Sequence, residues 1–416
     1  MEKTIKKGQA VSAVIDLPPS KSLSHRALLA ASLANGESKI YGLGTSMDIT
    51  ATKTAMMHLG VRFEEGEPLL VHGPRRQVYD GNTVDCCESG STLRFLIPIF
   101  ALHEGMCTFT GRGRLMERPL TIYEQLWKER DMTFEMGDVL HVQGPLRSGA
   151  YVLDGNVSSQ FITGLLFALP LCEGDSTIYV KEPFESRSYV GLTLDILARA
   201  GIHIESEGNL FRIGGHQTYQ AGVYDIPGDD SQMVFFAACA LLYNVPIVIR
   251  RADHDSKQGD HVLLQHMQAF GGVVEEISEG YCIRPGTLHG AQIDLGDCPD
   301  LGPMLFALAS QIPGTTTFTH CERLRMKESD RIACMEEELH RLGCSISSQG
   351  GTVIVQGHHG ILPRVTVSGH NDHRIVMALS VLAGIGEGTT ITGAQAIAKS
   401  YPGFFEDLAK TGVEIC

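Results

Sequence analysis

Six copies of one short signature constrain this chain more than anything else in it. An amphipathic stretch ends at a glycine, and a short apolar strand follows, often through a glutamate. Leu59-Gly60-Val61-Arg62-Phe63-Glu64, Ala200-Gly201-Ile202-His203-Ile204-Glu205 and Phe270-Gly271-Gly272-Val273-Val274-Glu275 are three copies. Leu342-Gly343-Cys344-Ser345-Ile346 and Thr411-Gly412-Val413-Glu414-Ile415 are two more, and Arg130-Asp131-Met132-Thr133-Phe134-Glu135 keeps the register with aspartate in the glycine's place. The marker positions 60, 131, 201, 271, 343 and 412 are 71, 70, 70, 72 and 69 residues apart. Glycine just past a helix is the usual left-handed cap. Each signature then leads through turns into a second apolar run, such as Leu69-Leu70-Val71 or Thr352-Val353-Ile354-Val355, which reads as a hairpin. Recurrence at a near-fixed period is one supersecondary unit repeated. The 416 residues therefore read as six α/β units of about 70 residues in two halves of three, with the break at Tyr224-Asp225-Ile226-Pro227-Gly228-Asp229.

Charge and cysteine usage narrow the function classes. Lysine and arginine number 34 against 48 acidic residues, a net charge of −14, so a protein that grips nucleic acid by neutralising phosphates is excluded. The opening MEKTIKKGQAVSAVIDLPP has no apolar core of a signal peptide, and no apolar run reaches the roughly 18 residues of a membrane span. Eleven scattered cysteines without a CxxC pair suit free, buried thiols in a reducing compartment, so the expected location is cytoplasmic. No membrane or nucleic-acid partner is expected, and the expected state, which no sequence feature sets, is a monomer. A P-loop GxxxxGK[ST] is absent, and Gly42-Leu43-Gly44 lacks the third glycine of a dinucleotide fingerprint. His358-His359 reads as a surface loop, and Trp127, the one tryptophan, as a packing residue.

Basic residues stand where helices do not want them. Pro18-Pro19-Ser20 ends a strand and starts a helix carrying Lys21, Ser22, His25 and Arg26, with Lys21 and His25, and Ser22 and Arg26, four apart. The segment Arg325-Met326-Lys327-Glu328-Ser329-Asp330-Arg331 is expected to open a second helix with Lys327 and Arg331 on one face, and Asn371-Asp372-His373-Arg374 a third. Cations in a first turn oppose the helix dipole by about 0.3–1 kcal/mol each. One such helix is explained by an internal carboxylate such as Glu328 or Asp330; three in an acidic chain point to a bound anion, which helix N-termini favour through their free N–H groups. Ser89-Gly90-Ser91-Thr92 and Ser158-Ser159-Gln160 open two further helices with hydroxyls, as phosphate cradles or ordinary caps. Gly111-Arg112-Gly113-Arg114 with Glu117-Arg118-Pro119 supplies three arginines in a glycine-rich segment, a candidate clamp for carboxylate or phosphate.

Taken in order, these motifs resemble the 5-enolpyruvylshikimate-3-phosphate synthase family (3-phosphoshikimate 1-carboxyvinyltransferases), end to end. The resemblance rests on Pro19-Ser20-Lys21-Ser22-Leu23-Ser24-His25-Arg26, Gly90-Ser91-Thr92-Leu93-Arg94, Arg114-Leu115-Met116-Glu117-Arg118-Pro119 and Ser158-Ser159-Gln160-Phe161. It continues through the 325–331 and 371–374 segments and Lys399 before Tyr401-Pro402. It implies an α/β (α+β) fold of two similar domains, each of three βαβαββ-type repeats forming an inside-out α/β barrel, with substrates in the interdomain cleft. The first strand then belongs with the C-terminal half, giving one discontinuous domain of 1–19 plus 228–416 and a second of 20–227.

The resemblance also implies the activity: the enolpyruvyl group of phosphoenolpyruvate moves to the 5-hydroxyl of shikimate 3-phosphate and phosphate leaves, with no metal and no organic cofactor. It assigns Lys21, Ser22, Arg26, Ser158, Ser159, Gln160, Ser186, Asp300 and Lys327 to shikimate 3-phosphate, and Lys21, Gly90, Arg114, Gln160, Arg331, Arg374 and Lys399 to phosphoenolpyruvate. The catalytic set is Asp300, Glu328, Lys21, Lys399 and His373, with Asp300 near the hydroxyl and Glu328 near the methylene carbon. Glu88-Ser89 departs from the family's usual Asn-Ala or Asn-Ser before the Gly-Ser-Thr stretch and sets a carboxylate near the phosphoenolpyruvate site, while Gly90 is the glycine of glyphosate-sensitive members. The sister family acting on UDP-N-acetylglucosamine usually has Lys-Asn where this chain has Lys21-Ser22 and a cysteine in its mobile loop, which 112–119 lacks.

Overall fold

The computed structural model describes the whole chain except Val157, His359 and Ile361, so the second histidine of the 358–359 pair lies outside the described residues. The chain divides into two compact units, Met1–Pro18 with Pro227–Cys416, and Pro19–Ile226.

Each unit holds three four-stranded sheets of one design. In the sheet closest to the plain repeat, Val84–Asp85 runs parallel to Gly105–Thr110, followed by antiparallel Leu140–Gly144 and Phe134–Met136. In chain order this is β, helix Gly90–Phe100, β, helix Thr121–Lys128, then a β-hairpin. Ala150–Ile213 and Gln292–Gly357 repeat the pattern. The sheet holding Thr366–Ser368 and Thr389–Thr392 takes Glu2–Lys6 as its third strand and Glu414–Ile415 as its fourth. Two leading strands are exchanged: Ala13–Asp16 precedes the Lys21–Leu33 helix but pairs with Ile247–Arg250, while Val223–Asp225 precedes the Asp230–Tyr243 helix but pairs with Gly36–Tyr41.

The marker residues do what the spacing requires. Gly60, Gly201, Gly271, Gly343 and Gly412 have φ between 77° and 90°, and Asp131 takes φ 51° in its copy. Aspartate tolerates the left-handed region better than most side chains because its short carboxylate bonds locally.

Burial explains which helices go inside. Gly302–Ala309 and His373–Ala383 are buried along their whole length, Asp230–Tyr243 nearly so, and Gly90–Phe100, Ser159–Ala168 and Lys21–Leu33 leave only early residues partly open. A helix apolar all round has to be interior. Strands such as Ser176–Lys181 alternate buried and open positions, so one face of each sheet covers the helices. Helix contact is close: a Cβ at Gly164 would stand 2.6 Å from the Arg94 carbonyl oxygen. Trp127 is buried, packing edge-on against Tyr123 and Phe134, and His358 is exposed in a loop. All eleven cysteines are free thiols. Among the described residues no helix is long and apolar enough to cross a membrane.

Candidate active site

Interior helices place their N-termini, with unpaired N–H groups and positive potential, among the polar residues the sequence singles out. In the Pro19–Ile226 unit, Ser20 caps the Lys21–Leu33 helix, Ser89 caps Gly90–Phe100, and Ser158 caps Ser159–Ala168. Lys21 Nζ lies 3.0 Å from Asp48 Oδ2. Arg26 is buried and donates only to neutral oxygens: Nε to Thr193 Oγ1 at 2.9 Å, Nη1 to the Ser22 carbonyl at 2.8 Å, and Nη2 to the Tyr189 carbonyl at 3.0 Å and Thr163 Oγ1 at 3.4 Å. Among the described residues no carboxylate pairs with it, and burial lowers its pKa to about 10. A buried guanidinium without a counter-charge is a place for an anion. Burial, with Lys21 and Arg26 adding repulsion, keeps neighbouring His25 neutral, well below its ordinary range; its Nδ1 lies 2.8 Å from Thr52 Oγ1.

Gln160 is held at both ends of its amide: Oε1 accepts from Arg94 Nη1 at 2.8 Å, and Nε2 donates to Ser91 Oγ at 2.8 Å. Ser159 is buried. Ser186, also buried, heads the Arg187–Arg199 helix at φ 51°. Beside Gly90 lies the Arg118 guanidinium, so close that a Cβ there would meet Nη1 at 2.7 Å. Arg114 does not join this group: it is half-exposed on a 3-10 turn, 3.6 Å from Glu117. Arg112 pairs with Asp85 at 2.7 Å. The Glu88 carboxylate packs against this turn, where a Cβ on Gly113 would meet its Oε2 at 2.7 Å.

The other unit builds one ion network around Arg331, which is 1% exposed. Its Nη1 donates to Asp300 Oδ1 at 2.8 Å, its Nη2 to Glu328 Oε2 at 2.7 Å, and its Nε to Asp372 Oδ2 at 2.8 Å. Lys327 Nζ reaches Asp300 Oδ1 at 3.0 Å, and Arg374 Nη2 stands 3.7 Å from Asp300 Oδ2. Burial alone would raise the Asp300 carboxyl, but Lys327, Arg374 and Arg331 outweigh it and hold it well below the usual carboxylate range. Burial lowers the Lys327 ammonium against the pull of Asp300. It works against the Arg331 charge too, yet Asp372, Glu328 and Asp300 together raise that pKa. Asp372, fully buried, caps the His373–Ala383 helix through the Arg374 N–H at 2.8 Å and accepts from Ser329 Oγ at 3.0 Å. Arg374 donates to the carbonyl and hydroxyl of Ser231, both at 2.6 Å. Lys399 Nζ donates to the Asn371 carbonyl at 2.6 Å, and buried His373 has Nδ1 4.0 Å from Asp372 Oδ1.

Two sequence expectations are corrected. Lys327 and Arg331 do not share a helical face: the helix is Arg331–Arg341, capped by Asp330 accepting from the Ala333 N–H, and Lys327 precedes it in extended conformation. The misplaced cations are also not without internal partners. Asp48 serves Lys21, and Asp300, Glu328 and Asp372 serve Arg331, so internal carboxylates already offset much of the positive potential. Asp48, Arg94, Asp372 and Ser231, which orient the expected site residues, received no role from sequence. Asp372 carried a signal as an N-cap residue before a buried run, and Arg94 as a lone cation in an apolar helix.

The fold, with six four-stranded sheets among the described residues, is shared with solved structures. A structure of EPSP synthase from Acinetobacter baumannii matches with a TM-score of 0.81 at 23% identity, covering 100% of this chain and 99% of that one. The enolpyruvyl transferase NikO from Streptomyces tendae matches with a TM-score of 0.81 at 15% identity, covering 100% and 98%. The family model described as EPSP synthase (3-phosphoshikimate 1-carboxyvinyltransferase) matches residues 5–408. Proteins named 3-phosphoshikimate 1-carboxyvinyltransferase from Clostridium kluyveri and Clostridium novyi are 41% and 38% identical, over 96% of this chain in each case and 95% and 94% of theirs. The chain belongs to the EPSP synthase family.

Proposed function

We propose that this chain transfers the enolpyruvyl group of phosphoenolpyruvate to the 5-hydroxyl of shikimate 3-phosphate, releasing phosphate, as a step of aromatic amino acid biosynthesis by the shikimate pathway. The observation that carries the reading is the network that keeps Asp300 ionised among Lys327, Arg331 and Arg374, with Glu328 on the same guanidinium. Membership of the family supports it. Eleven free thiols support a cytoplasmic location.

Arg26, a buried cation surrounded by neutral acceptors, holds the shikimate 3-phosphate phosphate together with Ser22, Ser158, Ser159 and Ser186. Gln160, fixed by Arg94 and Ser91, presents its amide to substrate. Lys21, Arg331, Arg374 and Lys399 take the phosphate and carboxylate of phosphoenolpyruvate, with Gly90 giving close backbone approach. Exposed Arg114 is the member of that set that moves in. In the addition, the hydroxyl oxygen bonds to C2 and C3 gains a proton, giving a tetrahedral intermediate. In the elimination, a methyl proton leaves C3 as the C2–O bond to phosphate breaks. Asp300 accepts the hydroxyl's hydrogen bond, orients its attack and takes its proton as the C2–O bond forms, and that proton leaves with phosphate in the elimination. Glu328 carries the C3 proton in and out. Lys21, Lys399 and His373 complete the catalytic set by stabilising or protonating the departing phosphate.

The test is phosphate release from phosphoenolpyruvate with shikimate 3-phosphate or UDP-N-acetylglucosamine as acceptor in parallel. Release only with shikimate 3-phosphate supports the proposal; release with the nucleotide sugar, or with neither, overturns it.

A further inference from the structure

His25 stands one helical turn from Lys21 but takes no part in the proposed reaction. It is buried, and its Nδ1 begins a chain of hydroxyl groups. Thr52 Oγ1 lies 2.8 Å from Nδ1, Thr92 Oγ1 lies 2.7 Å from Thr52 Oγ1, and Thr92 Oγ1 donates to Ser89 Oγ at 2.7 Å. Thr52, Thr92 and Ser89 are fully buried as well. The chain joins three helices, Lys21–Leu33, Met47–Met57 and Gly90–Phe100, within their first two turns.

Its direction follows from counting protons. A hydroxyl owns one proton and donates once. Thr92 gives its proton to Ser89, so Thr52 must donate to Thr92. Thr52 then has none left for the imidazole, and His25 Nδ1 must carry a hydrogen and donate it. The Asp48 carbonyl competes weakly for the two threonine protons, at 3.4 Å from each. Burial, with Lys21 and Arg26 nearby, keeps the ring neutral, so Nε2 bears the lone pair. That atom is buried with no partner among the described residues.

The far end of the chain is the cap of the helix that opens at Gly90. Ser89 Oγ accepts from the Thr92 N–H at 3.1 Å as well as from the Thr92 hydroxyl, so both of its lone pairs are used and the cap has one orientation. Asp48 lies beside the chain, its carbonyl near both threonines and its carboxylate on Lys21 at 3.0 Å.

We infer that His25 is a positioning residue for the phosphoenolpyruvate half of the site, fixing the Ser89 cap and Asp48 through Thr52 and Thr92. The first-turn N–H groups at Gly90 and the Lys21 ammonium then keep one arrangement toward the anion. The identity of that anion rests on the reaction proposed above. Without a donor at its start the chain can run either way, Ser89 alternates between accepting and donating, and the cap loosens.

The ring tautomer is read by nitrogen NMR of the full-length protein carrying isotope-labelled histidine, at neutral pH and without substrate. The His25 signal is the one missing from both His25→Asn and His25→Gln. A hydrogen on Nδ1 and none on Nε2 is expected; a ring protonated on Nε2, alone or together with Nδ1, overturns the inference. Steady-state kinetics then separates donation from packing. Asparagine places an amide N–H where Nδ1 stands, whereas glutamine reaches the Nε2 position instead. His25→Asn is expected to keep the phosphoenolpyruvate KM within about twofold, while His25→Gln raises it about 3- to 10-fold, the worth of one neutral hydrogen bond. Circular dichroism establishes that both variants are folded. Equal effects of the two substitutions, or none from either, overturn the inference. An Nδ1-protonated ring in a protein that turns over no phosphoenolpyruvate refutes the proposed reaction, and this role with it.

Discussion

Replacing Asp372 by asparagine tests whether charge or shape holds the Arg331 network together. The side chain is fully buried and accepts from four donors: Ser329 Oγ, Arg331 Nε, Arg331 Nη2 and the Arg374 N–H. Asparagine caps a helix about as well as aspartate, so its oxygen is expected to stay on the Arg374 N–H. Its amide NH2 then confronts Arg331 Nε and Ser329, donor against donor, and the guanidinium loses one of three carboxylates. Breaking one side of a buried ion pair costs about 3–5 kcal/mol. In a unit of this size that lowers the melting temperature by about 6–20 °C. Phosphoenolpyruvate KM is expected to rise as well, because Arg331 leans further onto Asp300 and Glu328. The assay is urea unfolding of Asp372→Asn, Arg331→Met and the double variant. With Arg331 gone, Asp372 is a buried charge without its guanidinium, so neutralising it costs little or stabilises; the coupling energy is expected to exceed about 2 kcal/mol. A cost below about 1 kcal/mol in the native background, unchanged beside Arg331→Met, would refute the reasoning.

Four further outcomes are expected. Asp300→Asn removes the carboxylate shared by Lys327, Arg331 and Arg374, so anionic substrates bind at least as tightly while kcat falls about 100-fold or more, read from steady-state kinetics. Arg26→Met raises KM for shikimate 3-phosphate by about 10- to 150-fold, the equivalent of about 1.5–3 kcal/mol for a charged hydrogen bond, and an unchanged KM removes Arg26 from the site. Burial lowers the His266 pKa to about 4. The unfolded state therefore binds a proton that the native state refuses, and stability falls from pH 6.5 downward by up to about 3 kcal/mol near pH 4. His266→Gln flattens that part of the acid limb in denaturant titrations at stepped pH. Asp131→Gly, relieving φ 51°, stabilises by about 0.5–1 kcal/mol, and Asp131→Val destabilises by about 1–2 kcal/mol, both measured by urea midpoint.

The repeat was legible because a left-handed cap is a local demand. Only a few residue types meet it, and even the aspartate copy obeys. The exchange of Ala13–Asp16 and Val223–Asp225 was not legible, because each is a short alternating strand whose pattern states which face is buried but not which neighbour it joins. The site divides the same way. Cations at helix openings announce themselves against the dipole, so Lys21, Arg331 and Arg374 could be singled out. Their carboxylates could not: Asp48 lies 27 residues from Lys21, and Asp372 lies 41 from Arg331. The true start of the Arg331 helix was within reach, since Ser329-Asp330 before Ile332 is an ordinary cap signal. The four-residue spacing of Lys327 and Arg331 points instead to one helical face, and the cap overrides it.

The placement of the first two strands sets a timetable for the nascent chain. Ala13–Asp16 finds its parallel partner only when residues 247–250 exist, and Glu2–Lys6 only when Thr389–Thr392 does. At about 5–20 residues per second, Glu2–Lys6 waits about 20–80 s after it is made. Residues 19–226 meanwhile form a contiguous unit that already carries its own three sheets. The waiting leader therefore threads through synthesis as an unpaired strand, and Lys3, Lys6 and Lys7 give it the charge that discourages premature edge pairing. Completion of the other unit waits for residues 389–392 and 414–415, so a ribosome stalled before residue 389 holds one folded half and one that cannot yet close.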